Sequence, residues 1–118
     1  AYPNITHVTA VDVLGHGAAN ALIAAQKTDK ITLGMVYASA ETFPYIRNGA
    51  VDIGFSEPTV ILARMIVDLA VRTLNGEDNV PYIVHPASVG LTKKNLDSVD
   101  KTNFFAPSGW RVPIFSGK

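Results

Sequence analysis

Asp12, Val36, Tyr37, Ser56 and Glu57 carry the chemistry most readily read from this sequence, because each stands where an apolar or β-branched run gives out. The two carboxylates can hold a cation or a hydroxyl group. Ser56 offers a hydroxyl of its own. Tyr37 offers an aromatic face able to stack on a sugar or cradle an alkylammonium head. The same tyrosine would serve as well at the edge of a core.

Other constellations carry less. Gly15-His16-Gly17 follows a strand and opens a helix, as a dinucleotide fingerprint does. Asn20 stands where the third glycine belongs, however, and Val36-Tyr37 brings no acid for a ribose. Small residues for close helix packing explain the run equally well. His7, His16 and His85 fall on different elements, and none has a second ligand at helical spacing, so no metal is expected. His7 reads as a half-buried sheet residue. No serine lies in a nucleophile elbow and no base has an orienting partner, so the chain is not expected to be an enzyme or to need a cofactor. Asn4-Ile5-Thr6 matches a glycosylation triplet that chance produces often. Trp110 reads as an aromatic anchor for the tail, or as a cation–π partner of Arg111.

The elements that must position these residues alternate. Thr6 to Val11, Ile31 to Tyr37 and Ala50 to Phe55 read as strands. Val13 to Gln26 reads as a helix with Asp12 as its N-cap, Glu41 to Asn48 as a short helix stopped by Gly49, and Pro58 to Leu74 as a long one. Tyr82 to Leu91 reads as extended, and Lys94 to Leu96 as a turn of helix. This order predicts an α/β fold with a mainly parallel sheet and helices on both faces, a three-layer αβα arrangement. Ligands of such folds sit beyond the carboxyl ends of the strands, which is why the positions named first matter.

With 118 residues the chain suits one domain. Hydrophobic residues make up 47% and charged residues 17%, below the roughly 25% charged of an average domain, which excludes disorder. Ten basic residues balance ten acidic ones, and the longest basic run is Lys93-Lys94, so no nucleic-acid partner is expected. The absence of cysteine removes thiol catalysis and suits an oxidising compartment. No apolar stretch is long enough to span a bilayer. Ala1-Tyr2-Pro3 is not a signal peptide, and the chain is expected to begin within a longer protein or after processing. The long helix is apolar around most of its circumference, with Arg64, Asp68 and Arg72 as one polar stripe. Such a helix needs a covering surface, either from a second copy or from protein outside this chain.

The runs Ile31-Thr-Leu-Gly-Met-Val-Tyr37 and Ile46-Arg-Asn-Gly-Ala-Val-Asp-Ile-Gly-Phe-Ser-Glu-Pro58 resemble the carboxyl-terminal part of type 1 periplasmic binding proteins, the ribose-binding-like family of two-lobed solute receptors. The resemblance covers essentially the whole chain and well under half of the family's usual length. It is most similar to receptors that bind trimethylamine N-oxide for a sensor histidine kinase. Ser56-Glu57, Arg72, Leu74-Asn75-Gly76 and the tail Ala106-Pro-Ser-Gly-Trp-Arg111 with Phe115 carry that likeness. The resemblance implies a periplasmic solute-binding domain, with residues 1–56 in the second lobe, 57–79 a hinge crossing and long helix, 80–99 a returning extended segment and 100–118 a terminal strap. It implies ligand contacts at Asp12, Tyr37, Ser56 and Glu57, and a first lobe outside this chain. Sugar receptors of the family commonly carry Asn-Asp before the first helix and an Asp near Val36, both lacking here. A small, partly apolar solute is therefore expected. The alternatives are a sugar-binding component of an ABC transporter and a half-receptor acting as a protein-interaction module.

Overall fold

The computed structural model describes residues 3–111. Strand β1 (His7–Val11) leads into helix α1 (Asp12–Ala24), followed by β2 (Thr32–Val36). A short 3-10 turn (Ala40–Thr42) runs into α2 (Phe43–Asn48), then β3 (Ile53–Ser56), α3 (Thr59–Leu74) and β4 (Val89–Leu91). The sheet order is β1-β2-β3-β4, with the first three strands parallel and β4 antiparallel to β3.

The α/β class and mainly parallel sheet agree with the sequence reading, but the helices of the described residues cover one face. Strand order follows chain order, so two right-handed crossovers put α1 and α2 on the same side. Leu33 and Met35 point to that side and are fully buried with Ala19 of α1 and Ile46 of α2. Small residues set the close approach: a Cβ on Gly15 would lie 2.6 Å from Met35 Cε. Gly15 thus lies inside α1 as a packing residue, not in a phosphate-binding turn. Pleating sends Thr9, Gly34, Val36, Ile53 and Phe55 to the other face. There they line an open depression of about 250 Å³ that also includes His7. His7 is exposed on this face instead of half-buried, and its Nδ1 lies 2.8 Å from Thr6 Oγ1.

Several boundaries move for local reasons. Asp12 is the first residue of α1 and caps nothing, Val11 being the N-cap without a side-chain bond. Gly49 ends α2 at φ 82°, a left-handed C-cap that glycine adopts without penalty. Of the extended stretch only Val89–Leu91 pairs with the sheet. Pro81 and Pro86 lack the N–H that a ladder needs, and Tyr82 is 99% exposed. The expected helical turn near Lys94 is present, with Leu96 N–H donating to Thr92 O and Asn95 Oδ1 accepting from Thr92 N.

Helix α3 buries none of its residues. Its first turn is tied to the strap, since Thr59 Oγ1 donates to Phe104 O at 2.7 Å and Val60 N to Asn103 O at 3.2 Å. The strap is anchored by Phe105, packed edge-to-face on Phe43 at 5.1 Å. Trp110 is 54% exposed and does not take the anchoring role expected of it. Phe115 lies outside the described residues. Farther along α3, Ile66, Val67, Val71 and Leu74 stand exposed, and Arg72 is held by Glu77 at 2.7 Å with Asp68 at 3.9 Å.

Candidate functional site

Parallel strands β1, β2 and β3 end side by side, with Val11 in register with Val36 and Val36 with Phe55. Their carboxyl ends therefore deliver Asp12, Tyr37, Ser56 and Glu57 to one edge of the sheet. Tyr37 divides that edge into two grooves. One, of about 240 Å³, runs between Tyr37, Glu57 and the strap residues Phe104 and Phe105, with Ser39, Ser56 and Thr59 on its walls. The other, of about 310 Å³, is formed by Val36, Tyr37, Phe55, Glu57 and Ser88. Tyr37 and Glu57 line both. Glu57 is the charged side chain of either groove, and neither is lined by a described lysine or arginine. The electrostatic sign of the site is therefore negative, with aromatic walls.

Tyr37 has φ 57° and is 61% exposed. A side chain in the left-handed region costs on the order of 1–2 kcal/mol, so the surroundings must impose it. The chain after it is pinned from two sides. Ala38 N donates to Phe55 O at 2.8 Å, and Ser56 Oγ donates to Ala38 O at 3.0 Å. Ser56 is buried, and its hydroxyl proton is spent on this bond. Ser56→Ala is expected to cost about 1–3 kcal/mol, because it leaves the buried Ala38 carbonyl unpaired. Thermal melting of the variant measures this, and an unchanged midpoint would refute the assignment.

Asp12 lines neither groove. Its Oδ1 accepts from Ser39 N at 3.2 Å, Ser39 Oγ at 2.9 Å and Thr42 Oγ1 at 3.2 Å, behind the groove wall. Thr42 has a single hydroxyl proton and gives it to Asp12. His16 Nε2, 3.0 Å from Thr42 Oγ1, must then be the donor of that bond, which fixes its tautomer. The imidazole also stacks on Tyr45 at 5.2 Å. Glu41 beside this cluster titrates below the usual carboxylate range, held chiefly by its own backbone N–H.

Sequence reasoning passed over Phe55, Ser88, Phe104 and Phe105. Phe55 was legible in principle, since it is the last strand residue before Ser56 and alternation puts it on the face of Ile53. Ser88 and the strap phenylalanines reach the site from residues far along the chain, and no local pattern marks them. Among the described residues no three metal-ligating side chains gather, and no helix is long and apolar enough to cross a membrane.

No protein-family model and no curated protein matches the sequence. Solved structures do. An ABC transporter solute-binding protein from Bradyrhizobium sp. BTAi1, with bound bis-tris, has a TM-score of 0.76 and 27% identity over 97% of this chain and 34% of its own. A sugar ABC transport substrate-binding protein from Bordetella parapertussis has a TM-score of 0.80 and 25% identity over 94% of this chain and 38% of its own. The complex of TorT with the TorS sensor domain, without ligand, has a TM-score of 0.72 and 26% identity over 92% of this chain and 36% of the matched one. The same complex in the presence of trimethylamine N-oxide gives 0.70. The chain spans about a third of the length of each matched structure. It has the periplasmic-binding-protein-like fold of the solute-binding receptors, over the part of that fold in which parallel strands end at Val36 and Ser56.

Proposed function

We propose that this chain is the ligand-facing part of a periplasmic solute-binding receptor, a binder and not an enzyme. The observation that carries the reading is the convergence of Tyr37, Glu57 and Ser88 on one groove at the strand ends, in a fold shared with solute receptors. Residues 57–79 act as the hinge crossing, and α3 rests against a further lobe. The receptor hands its signal to a membrane partner, a sensor kinase or a transporter.

Aromatic walls with a single lining carboxylate favour a small methylated amine or N-oxide over a sugar. Tyr37 and Phe55 pack methyl groups. The Ser88 hydroxyl, which has no hydrogen-bond partner among the described residues, donates to an N-oxide oxygen. A sugar needs partners for many hydroxyls, and this groove has few. One structural neighbour holds bis-tris, an amine, and another was determined in the presence of trimethylamine N-oxide, which supports a nitrogen-centred solute.

Titration of the ¹⁵N-labelled chain with trimethylamine N-oxide, bis-tris and ribose tests this. Amide shifts at Val36, Tyr37, Glu57 and Ser88 with the first two are expected. Tyr37→Ala should weaken that response by about three- to thirtyfold, the worth of one aromatic–ammonium contact. A response to ribose alone would favour the sugar transporter reading, and silence to all three would sink the receptor reading.

The exposed apolar face of α3 supports a second reading, a protein-interaction module. Sedimentation of the chain would then show self-association, lost on replacing Ile66 and Leu69 with glutamate. A monomer in both forms disposes of it.

A further inference from the structure

We infer that Asp12 is a positioning residue for ligand recognition: it stands outside the grooves and holds Tyr37 in its left-handed conformation through the Ser39–Thr42 turn. The inference rests on Tyr37 being the aromatic wall of the ligand site.

The geometry is a relay of short bonds. β2 ends at Val36, and two residues later the chain is already fixed. Ala38 is bound to β3 through both its N–H and its carbonyl. Ser39 is bound to Asp12 at the start of α1 through both its N–H and its hydroxyl. Tyr37 alone remains to make the turn between a strand and two pinned residues, and its φ of 57° is the result. Tyr37 is 61% exposed, and its hydroxyl has no hydrogen-bond partner among the described residues. The direction in which the ring projects is therefore decided by the backbone. Strained backbone persists where surrounding contacts over-determine it. The β3 anchor and the α1 anchor together do this, and Asp12 is the whole of the second. Thr42 and His16 complete it by fixing the carboxylate: Thr42 Oγ1 donates to the same Oδ1, and His16 Nε2 donates to Thr42 Oγ1.

The test needs no ligand. A φ near 57° brings an amide proton close to its own Hα, so the wild-type chain gives Tyr37 a strong intraresidue amide–Hα Overhauser effect. Asp12→Ala is expected to weaken it as Tyr37 relaxes toward extended backbone, while Asp12→Asn, which keeps the Oδ1 acceptor, restores it. A purely structural role would lower the melting temperature of Asp12→Ala and leave this effect intact in the folded protein. That outcome overturns the inference. Should Asp12→Ala not fold, Ser39→Ala combined with Thr42→Val removes both side-chain donors and reads the same effect. With trimethylamine N-oxide as probe, a competent fraction reduced to about one tenth weakens apparent affinity about tenfold. Loss of probe affinity in proportion to the lost Overhauser intensity supports the inference, and undiminished affinity in Asp12→Ala opposes it. If the wild-type chain binds no probe, the receptor reading fails, and the Overhauser measurement still decides whether Asp12 sets Tyr37.

Discussion

Leu33→Ala is expected to destabilise the chain by about 2–5 kcal/mol, the range for deleting a buried leucine side chain in a site that cannot collapse. Leu33 is fully buried in the central strand pair, facing the layer built by α1 and α2. Its backbone is held independently of its side chain: Leu33 N donates to Asp52 Oδ2 at 2.8 Å, and Asp52 N to Leu33 O at 2.9 Å. The strand therefore stays in register while a cavity opens beneath it, which is the condition for the full cavity penalty. Domains have about 5–15 kcal/mol of stability in total, so the loss is a large share of it. Urea denaturation followed by circular dichroism measures the change. The midpoint should fall with an unchanged slope, and a midpoint equal to wild type would show that the core does not sit where the sheet and helices place it.

Gly54→Ala joins stability to the site. A Cβ at Gly54 would lie 2.8 Å from Ala38 Cβ and 3.3 Å from Ile46 Cδ1. Ala38 Cβ is fixed to the backbone and cannot rotate away, and Ala38 is bonded on both sides to β3. One methyl group must therefore push the residue after Tyr37 outward. Overpacking of this kind costs about 1–3 kcal/mol. The strain falls on the two bonds that hold Tyr37 in place, so amide shifts at Tyr37, Ala38 and Ser39 are expected along with the lost stability. Gly15→Ala makes a useful contrast: its new Cβ would meet Met35 Cε, Cγ and Sδ, a flexible side chain that yields more readily. If Gly54→Ala proved the milder of the two, the rigid contact between β3 and the Tyr37 turn would be wrong.

Much of the architecture was legible because its signals are local. The β-branched runs around Val8, Leu33 and Ile53 mark strands by composition, and Gly49 marks a helix end by the conformation it alone adopts cheaply. Strand–helix alternation then implies parallel pairing, and parallel pairing implies a ligand edge at the strand ends. That chain of inference reached Asp12, Tyr37, Ser56 and Glu57 by position. It did not reach their differing relations to the site. Tyr37 and Glu57 line both grooves, Ser56 spends its hydroxyl proton on Ala38 O, and Asp12 serves the turn behind the wall.

The sequence by itself determined which segments are strands and helices, that the sheet is mainly parallel, and that α3 carries more apolar surface than one covered face requires. These follow from side-chain shape and periodicity within a few residues. Only the tertiary structure decided which face of the sheet stays open, that Phe105 and not Trp110 fastens the strap, and that Ser88, Phe104 and Phe105 reach the strand ends. Those depend on contacts between residues far apart in the chain. The left-handed turn at Tyr37 belongs with them: tyrosine has no local preference for φ 57°, and it is held there by β3 on one side and Asp12 on the other, neither of which lies next to it in sequence.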